Sequence, residues 1–172
     1  MKVKFAVLVA VTTILVSGAV SATPASAAVA NPHFNYRVIM VEDHTSSRWP
    51  VRASVSTWAT GARVSIRYGR CVAGAGCVRV YDSYQGRNGQ SGQTHMSWNG
   101  TTKHLNTVTI RFNDSYALSS RMARQAVQHE LGHSFGITYH AKSLSTCMYY
   151  KLSNAANPLP AAADKRLLNT IY

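Results

Sequence analysis

The stretch HELGHSFGITYH, residues 129–140, is the most informative part of this chain. It places His129 and His133 four positions apart, with Glu130 directly after the first histidine. On an α-helix, residues four apart project from the same face one turn along, so both imidazoles can reach a single zinc ion. Glu130 then lies about 100° around the helix from His129, beside the metal rather than on it. The spacing predicts a helical zinc site with a carboxylate as general base.

The helix that contains this motif is predicted to run from Ser119 or Ser120, either of which can serve as N-cap, to about Phe135. Gly132 in its interior costs about 1 kcal/mol relative to alanine, which indicates close packing against a neighbouring segment. Gly136, one residue beyond the predicted helix end, can turn the chain through a left-handed conformation. The chain after this glycine is therefore expected to return towards the two histidines.

With this glycine, the stretch resembles the metzincin zinc endopeptidases, whose motif His-Glu-x-x-His-x-x-Gly-x-x-His/Asp turns at the glycine to bring in a third zinc ligand. This chain departs from the motif in one place, because Tyr139 occupies the ligand position and His140 follows one residue later. An irregular loop easily absorbs a one-residue extension, and neutral imidazole suits zinc far better than a phenol does. His140 is therefore the predicted third ligand, with Tyr139 as the fallback.

The resemblance extends to STCMYY, residues 145–150, which looks like the Met-turn of the family. It implies that Met148 forms an apolar floor beneath the metal, although a lone methionine is usually core packing. It also implies a place near the zinc for Tyr150, which would stabilise an oxyanion; simple packing is the alternative. Finally, it implies that Thr94–Trp98 is an antiparallel edge strand that holds an extended substrate by strand addition.

Hydrophobic periodicity outside the motif predicts a mixed α/β domain with one sheet backed by helices. Strands are predicted at residues 36–41, 63–68, 77–81, 94–98 and 107–112, with helices at 50–61, 119–135 and after Pro160. The last helix is expected to turn a stripe towards the core, formed by Ala163, Leu167, Leu168 and Ile171. The resemblance implies the same architecture: a metzincin-like single catalytic domain with a twisted mixed sheet, a backing helix, an active-site helix and a C-terminal helix. Among the branches, the chain is most similar to small secreted bacterial enzymes of snapalysin and matrixin-like type.

The N-terminus has the pattern of a secretory signal peptide. Lys2 and Lys4 precede a mostly apolar run over residues 5–20, and small residues come after it. Cleavage is predicted after Ala27, or as late as Ala30, where a second Ala-x-Ala pattern ends. A membrane anchor is the alternative, but the run is short of the roughly 20 apolar residues that a span needs. The expected organisation is a signal peptide at 1–27, a short segment at 28–35 and a zinc metallopeptidase domain at 36–172.

The cysteine content is consistent with export to an oxidising compartment. Cys71 and Cys77 flank a Val-Ala-Gly-Ala-Gly segment that can bend tightly enough to join them, so this pair is the favoured disulfide. Cys147 is then left over as a buried free thiol, unless Cys71 or Cys77 pairs with it instead.

The charge balance limits the classes of partner. The 172 residues include 18 Lys and Arg against 6 Asp and Glu, a formal net charge of +12, and the length excludes a multidomain enzyme. The basic residues are scattered singly, so no specific nucleic-acid partner is expected, only loose association with anionic polymers such as a cell wall. Glu42–Asp43 is the sole adjacent acidic pair, so no calcium site is evident. We expect a monomer that leaves the membrane once its signal peptide is cleaved.

Together these patterns predict a secreted, extracellular zinc endopeptidase that acts on protein or peptide substrates. His129, His133 and His140 hold one catalytic zinc, and zinc-activated water attacks the peptide bond with Glu130 as general base. The main alternative is a secreted cationic binding protein with an inactive or structural zinc site, which the displaced third histidine motivates. A serine hydrolase centred on Ser91 is disfavoured because its surroundings lack the strand–turn–helix pattern of a nucleophile elbow.

Overall fold

The computed structural model describes residues 31–172, so the predicted signal peptide and its cleavage site lie outside the described residues. The elements, in chain order, are β1 (Val38–Asp43), α1 (Val51–Ala59), β2 (Ser65–Tyr68), β3 (Gly76–Ser83), β4 (Gly92–Trp98), β5 (Leu105–Asn113), α2 (Ser120–Ser134) and α3 (Ala162–Ile171). This order confirms the predicted mixed α/β class. The predicted strands and helices are all present, with ends shifted by a few residues.

The five strands form one twisted mixed sheet in the order β2-β1-β3-β5-β4. The first four strands in this order are parallel, and β4 pairs antiparallel with β5 at the edge of the sheet. One face of the sheet is apolar and packs against the helices, because side chains alternate along each strand. This buried face consists of Ile39, Val41, Ile66, Val78, Val80, Val108, Ile110 and Phe112. Apolar burial on this face fixes the register of the strands.

Helix α1 packs against β2 and against α2, and α2 itself contacts β4 and β5. Its residues Val51, Val55 and Trp58 are buried, as their 3.6-residue spacing predicts. The indole Nε1 of Trp58 donates to the backbone carbonyl of Gln128, 3.1 Å away, and so joins α1 to the middle of α2. Helix α2 is therefore held from two sides, by α1 and by the sheet.

Helix α3 corrects one part of the sequence prediction. Leu168 is buried and Leu167 and Ile171 are partly buried, but Ala163 is exposed and Asp164 takes the buried position instead. The reason is hydrogen bonding, since the Asp164 carboxylate accepts from the backbone N–H of Ala161 at 2.7 Å, at the start of the helix. A polar side chain can displace a small apolar one from the interior when its own hydrogen bonds are satisfied there.

Two further features hold the domain together: a disulfide, and the packing of the first described residues against the rest. Cys71 and Cys77 form the predicted disulfide, with Cα atoms 5.4 Å apart, and Cys147 is a buried free thiol. Residues 31–35 pack against the domain: Phe34 is buried, and its backbone N–H donates to the Tyr172 hydroxyl at 3.2 Å. Between residues 31 and 172, no helix is both long enough and apolar enough to cross a membrane.

Candidate active site

Helix α2 carries the first two histidines of the candidate site. It begins after Ser119, whose hydroxyl accepts from the backbone N–H of Met122 at 3.3 Å, which is an N-cap of the predicted kind. One helical turn separates His129 from His133, and their ring centroids are 4.6 Å apart. The helix therefore presents both imidazoles on one face, as the spacing requires.

Three imidazoles converge at one point. The Nε2 atom of His133 lies 3.0 Å from Nε2 of His129 and 3.1 Å from Nε2 of His140. Four nitrogens arranged tetrahedrally about zinc at 2.0–2.1 Å would be about 3.3 Å apart, close to these spacings. The three side chains therefore have the geometry of a group that can hold a metal ion.

In two of these rings the second nitrogen, Nδ1, is hydrogen-bonded to the backbone, which leaves Nε2 free to bind a metal. His129 Nδ1 donates to the backbone carbonyl of Cys147 at 2.9 Å, and His133 Nδ1 donates to the carbonyl of Ile137 at 2.6 Å. In each neutral ring the proton then resides on Nδ1, and Nε2 presents a lone pair. Facing lone pairs at 3.0 Å repel each other unless a cation lies between them. The donor set thus fits zinc.

The direction of the pKa shifts of His129 and His133 also favours metal binding. Burial lowers the pKa of His129 below its ordinary value. Burial, followed by the neighbouring His129 ring, also lowers the pKa of His133. Both effects favour neutral imidazole, which is the form that binds metals.

The turn after α2 brings the chain back to the histidines. Gly136 has φ +98°, and its N–H donates to the His133 carbonyl while Ile137 N–H donates to Gly132, which is a glycine C-cap. A Cβ on Gly136 would overlap the backbone carbonyl oxygen of Pro32. Glycine is required here for both the backbone conformation and the space, and the buried Ile137 then anchors the loop that leads to His140.

Tyr139, the fallback ligand, does not join the three imidazoles. Its hydroxyl donates to Oδ1 of Asp164, 3.1 Å away, at the start of α3. Burial and the adjacent Asp164 raise the pKa of Tyr139 to about 12, which disfavours the phenolate that would bind a metal.

Met148 lies directly under helix α2, between the turns that carry the two histidines. It is fully buried, and a Cβ on Gly132 would overlap its Sδ atom and approach Trp58 to 3.1 Å. The mid-helix glycine is thus explained by close packing, as the sequence indicates. The Met148 carbonyl accepts from the backbone N–H of Ala141 at 2.7 Å, so the segment around Met148 also supports the residue after His140.

Glu130 is buried between α2 and the edge strand, with 8% of its surface exposed. The Thr94 hydroxyl on β4 lies 2.7 Å from Glu130 Oε2 and donates to it. Burial raises the pKa of the Glu130 carboxyl, and the Thr94 hydrogen bond opposes part of that shift. A raised carboxyl pKa lies nearer to neutral pH, which suits a group that first accepts and then returns a proton.

A cleft of about 460 Å³ opens beside these residues. Its walls are formed by Gly89, Gln90, Ser91, Gly92, Gln125, Ala126, His129, Glu130, His140, Tyr150, Lys151 and Leu152. Tyr150 is 60% exposed and is one of these lining residues. Ser91 lies in the loop before β4 rather than at a strand-to-helix turn, the context that a nucleophile elbow requires.

The sequence did not indicate two residues that hold the walls of the cleft. Gln125 is buried, and its Oε1 accepts from the backbone N–H of Ser153 at 3.1 Å, which holds the wall after Tyr150. The buried amide of Asn113 donates to the Gly86 carbonyl at 2.8 Å and so fixes the opposite loop. The only sequence signal for either role is that a polar residue occupies a helix or strand position that is buried.

No family model matches the sequence, and a comparison with curated proteins also finds no match. Two solved structures of myroilysin are similar in fold, each with a TM-score of 0.51 and 14% sequence identity. The aligned region covers 82% of this chain, and 86% and 82% of the two myroilysin chains.

The chain shares its overall fold with the two myroilysin structures. This agrees with the architecture implied by the resemblance: a single α/β domain with a twisted mixed sheet and helices α1, α2 and α3. At 14% identity the likeness establishes the fold, and the chemistry has to be argued from the residues in the cleft.

Proposed function

We propose that this protein is a zinc-dependent endopeptidase of metzincin type that is exported from the cell. The observation that carries the proposal is the convergence of the Nε2 atoms of His129, His133 and His140 beside the buried Glu130. Three histidines with an open side facing a cleft are the usual protein contribution to a catalytic zinc site. Within that type, we assign the chain to the branch of small secreted bacterial enzymes of snapalysin and matrixin-like type.

The three histidines would hold the ion, and the backbone carbonyls of Cys147 and Ile137 keep two of the rings in the required tautomer. The chemistry that a bound zinc ion supplies is polarisation of the scissile carbonyl and a lower pKa for the attacking water. Glu130 accepts the proton of that water and returns it to the leaving amine. The Thr94 hydroxyl fixes the orientation of the carboxylate.

Substrate binding is assigned to the edge strand. Strand β4 pairs with β5 on one side only and forms the end of the sheet, above the cleft. An extended peptide can pair with its free backbone groups, which would bring a peptide carbonyl next to Glu130. Tyr150, on the opposite wall, is assigned to stabilise the oxyanion, and Met148 to support the site from below.

Export is proposed from the sequence and is supported by one structural feature. The signal peptide is assigned to residues 1–27, with cleavage as late as Ala30, and the catalytic domain to residues 36–172. The Cys71–Cys77 disulfide fits an oxidising compartment. Once exported, the basic mature chain is expected to associate loosely with anionic cell-wall polymers.

The proposal is tested by hydrolysis of casein, an unstructured protein substrate, with and without a zinc chelator. We expect cleavage that the chelator abolishes and added zinc restores, because the attacking water depends on the metal. A covalent serine-hydrolase inhibitor serves as the control and should leave the rate unchanged. Cleavage that persists after complete metal removal would contradict the proposal.

A further inference from the structure

His140 differs from the other two histidines in how it is held. Within residues 31–172, its Nδ1 has no hydrogen-bond partner, whereas His129 and His133 each donate to a backbone carbonyl. It also lies on an irregular segment rather than on a helix. Since metal ligands depend on surrounding groups for their orientation, the position of His140 has to be set by its neighbours in the chain.

One neighbour is held by the backbone. The N–H of Ala141 donates to the Met148 carbonyl at 2.7 Å, and the Ala141 carbonyl accepts from Tyr150 N–H at 3.1 Å. This short bridge fixes the chain on the C-terminal side of His140. On the other side, Ile137 is buried and the Thr138 hydroxyl donates to Asn31 Oδ1 at 3.0 Å, so Tyr139 is the residue that links these held positions to His140.

Tyr139 provides the second anchor through its side chain. Its hydroxyl donates to Asp164 Oδ1 at 3.1 Å, although 41% of the Tyr139 surface is exposed. Tyr139 stands at the position where the motif would place a ligand, and its side chain is directed to α3 instead. The next residue, His140, places its Nε2 3.1 Å from Nε2 of His133.

Asp164 is a suitable fixed point for this anchor because it is 1% exposed and its carboxylate is well satisfied. Oδ2 accepts from the backbone N–H of Ala161 and from the Thr146 hydroxyl. The same Thr146 oxygen accepts from Met148 N–H at 3.0 Å. One buried carboxylate thus joins the start of α3, the segment around Met148 and the residue that precedes His140.

We propose that Tyr139 and Asp164 form a positioning pair that places His140 for metal binding and so compensates for the one-residue displacement of this ligand. The proposal rests on the proposed function, since it needs zinc at the three histidines. Neither residue is expected to touch the substrate or the metal. The hydrogen bond between them positions the backbone before His140, whereas the carbonyls of Cys147 and Ile137 hold the other two rings directly.

Tyr139→Phe tests the pair, because it removes the hydroxyl and keeps the ring. We expect the zinc dissociation constant of the mature chain, measured by competition with a chromogenic chelator, to rise by about 10-fold or more. The absorption spectrum of the Co²⁺-loaded protein should change as well, because the third ligand is less well oriented. The thermal midpoint of the metal-free protein should fall by about 4–12 °C, because a hydrogen bond to a buried carboxylate is lost, so zinc binding is measured well below that midpoint.

Tyr84→Phe is the matched control, because Tyr84 is 83% exposed and lies outside the cleft. It should leave zinc affinity and the Co²⁺ spectrum unchanged. If Tyr139→Phe also leaves both unchanged, or lowers only the stability of the metal-free protein, the positioning role is wrong. Failure of the unaltered chain to bind zinc would instead refute the proposed function, so the two failures are distinguishable.

Discussion

Replacing Glu130 by glutamine is expected to lower kcat/KM for peptide hydrolysis by about 10²- to 10⁴-fold while zinc remains bound. Glutamine has nearly the same shape, and its carbonyl oxygen can still accept from the Thr94 hydroxyl, so the link between α2 and β4 is retained. The amide, however, cannot accept the proton of the attacking water. The loss should therefore appear in kcat, with little change in zinc content or thermal midpoint.

Glu42→Gln is the matched control, since Glu42 is the other glutamate of the chain and lies on β1 beside Arg79, away from the cleft. It should leave the rate of hydrolysis unchanged. The measurement is the steady-state rate on a fluorogenic peptide, together with metal analysis of each variant. An unchanged rate for Glu130→Gln would remove Glu130 from the mechanism, and a lost rate with lost zinc would assign it a structural role instead.

Gly136→Ala is expected to have the largest effect on folding. Alanine at φ +98° costs roughly 1–2 kcal/mol, and its methyl group would overlap the Pro32 carbonyl, which is backbone and cannot simply rotate away. Overpacking of this kind typically adds about 1–3 kcal/mol. We therefore expect a loss of at least about 2 kcal/mol in the free energy of unfolding, measured by urea denaturation.

Gly61→Ala separates these two contributions. Gly61 also comes after a helix and has φ +79°, but a Cβ there meets nothing within 4 Å. It should cost only the conformational part, about 1–2 kcal/mol. Equal losses for both variants would show that residues 31–35 do not pack against the turn after α2 in the way described.

The convergence of the histidines and the element order were predictable because their signals are local. The four-residue spacing of His129 and His133 and the apolar periodicity around them predict both a helix and the face on which the two imidazoles lie. The alternation of Val78 and Val80 with other residues likewise predicts which side chains are buried, because successive side chains of a strand point to opposite faces of the sheet. Gly132 indicated close packing without naming its partner, which the structure identifies as Met148.

The contacts that complete the site were not predictable, because they join residues far apart in the sequence. Thr94 reaches Glu130 across 36 positions, and nothing in the local pattern of β4 marks its hydroxyl as a partner. Asp164 was missed for a further reason, since helical periodicity assigned the buried position to Ala163. A charged side chain becomes buried only when several donors converge on it, and such convergence is a property of the fold.

The most direct test of the whole account is a zinc titration of the metal-free mature chain, with hydrolysis of casein monitored at each addition. The account predicts that activity rises from zero in proportion to bound zinc and saturates at one ion per chain. A folded protein that binds one zinc ion and remains inactive towards casein and unstructured peptides would contradict the endopeptidase assignment. That result would favour a cationic binding protein with a structural zinc site.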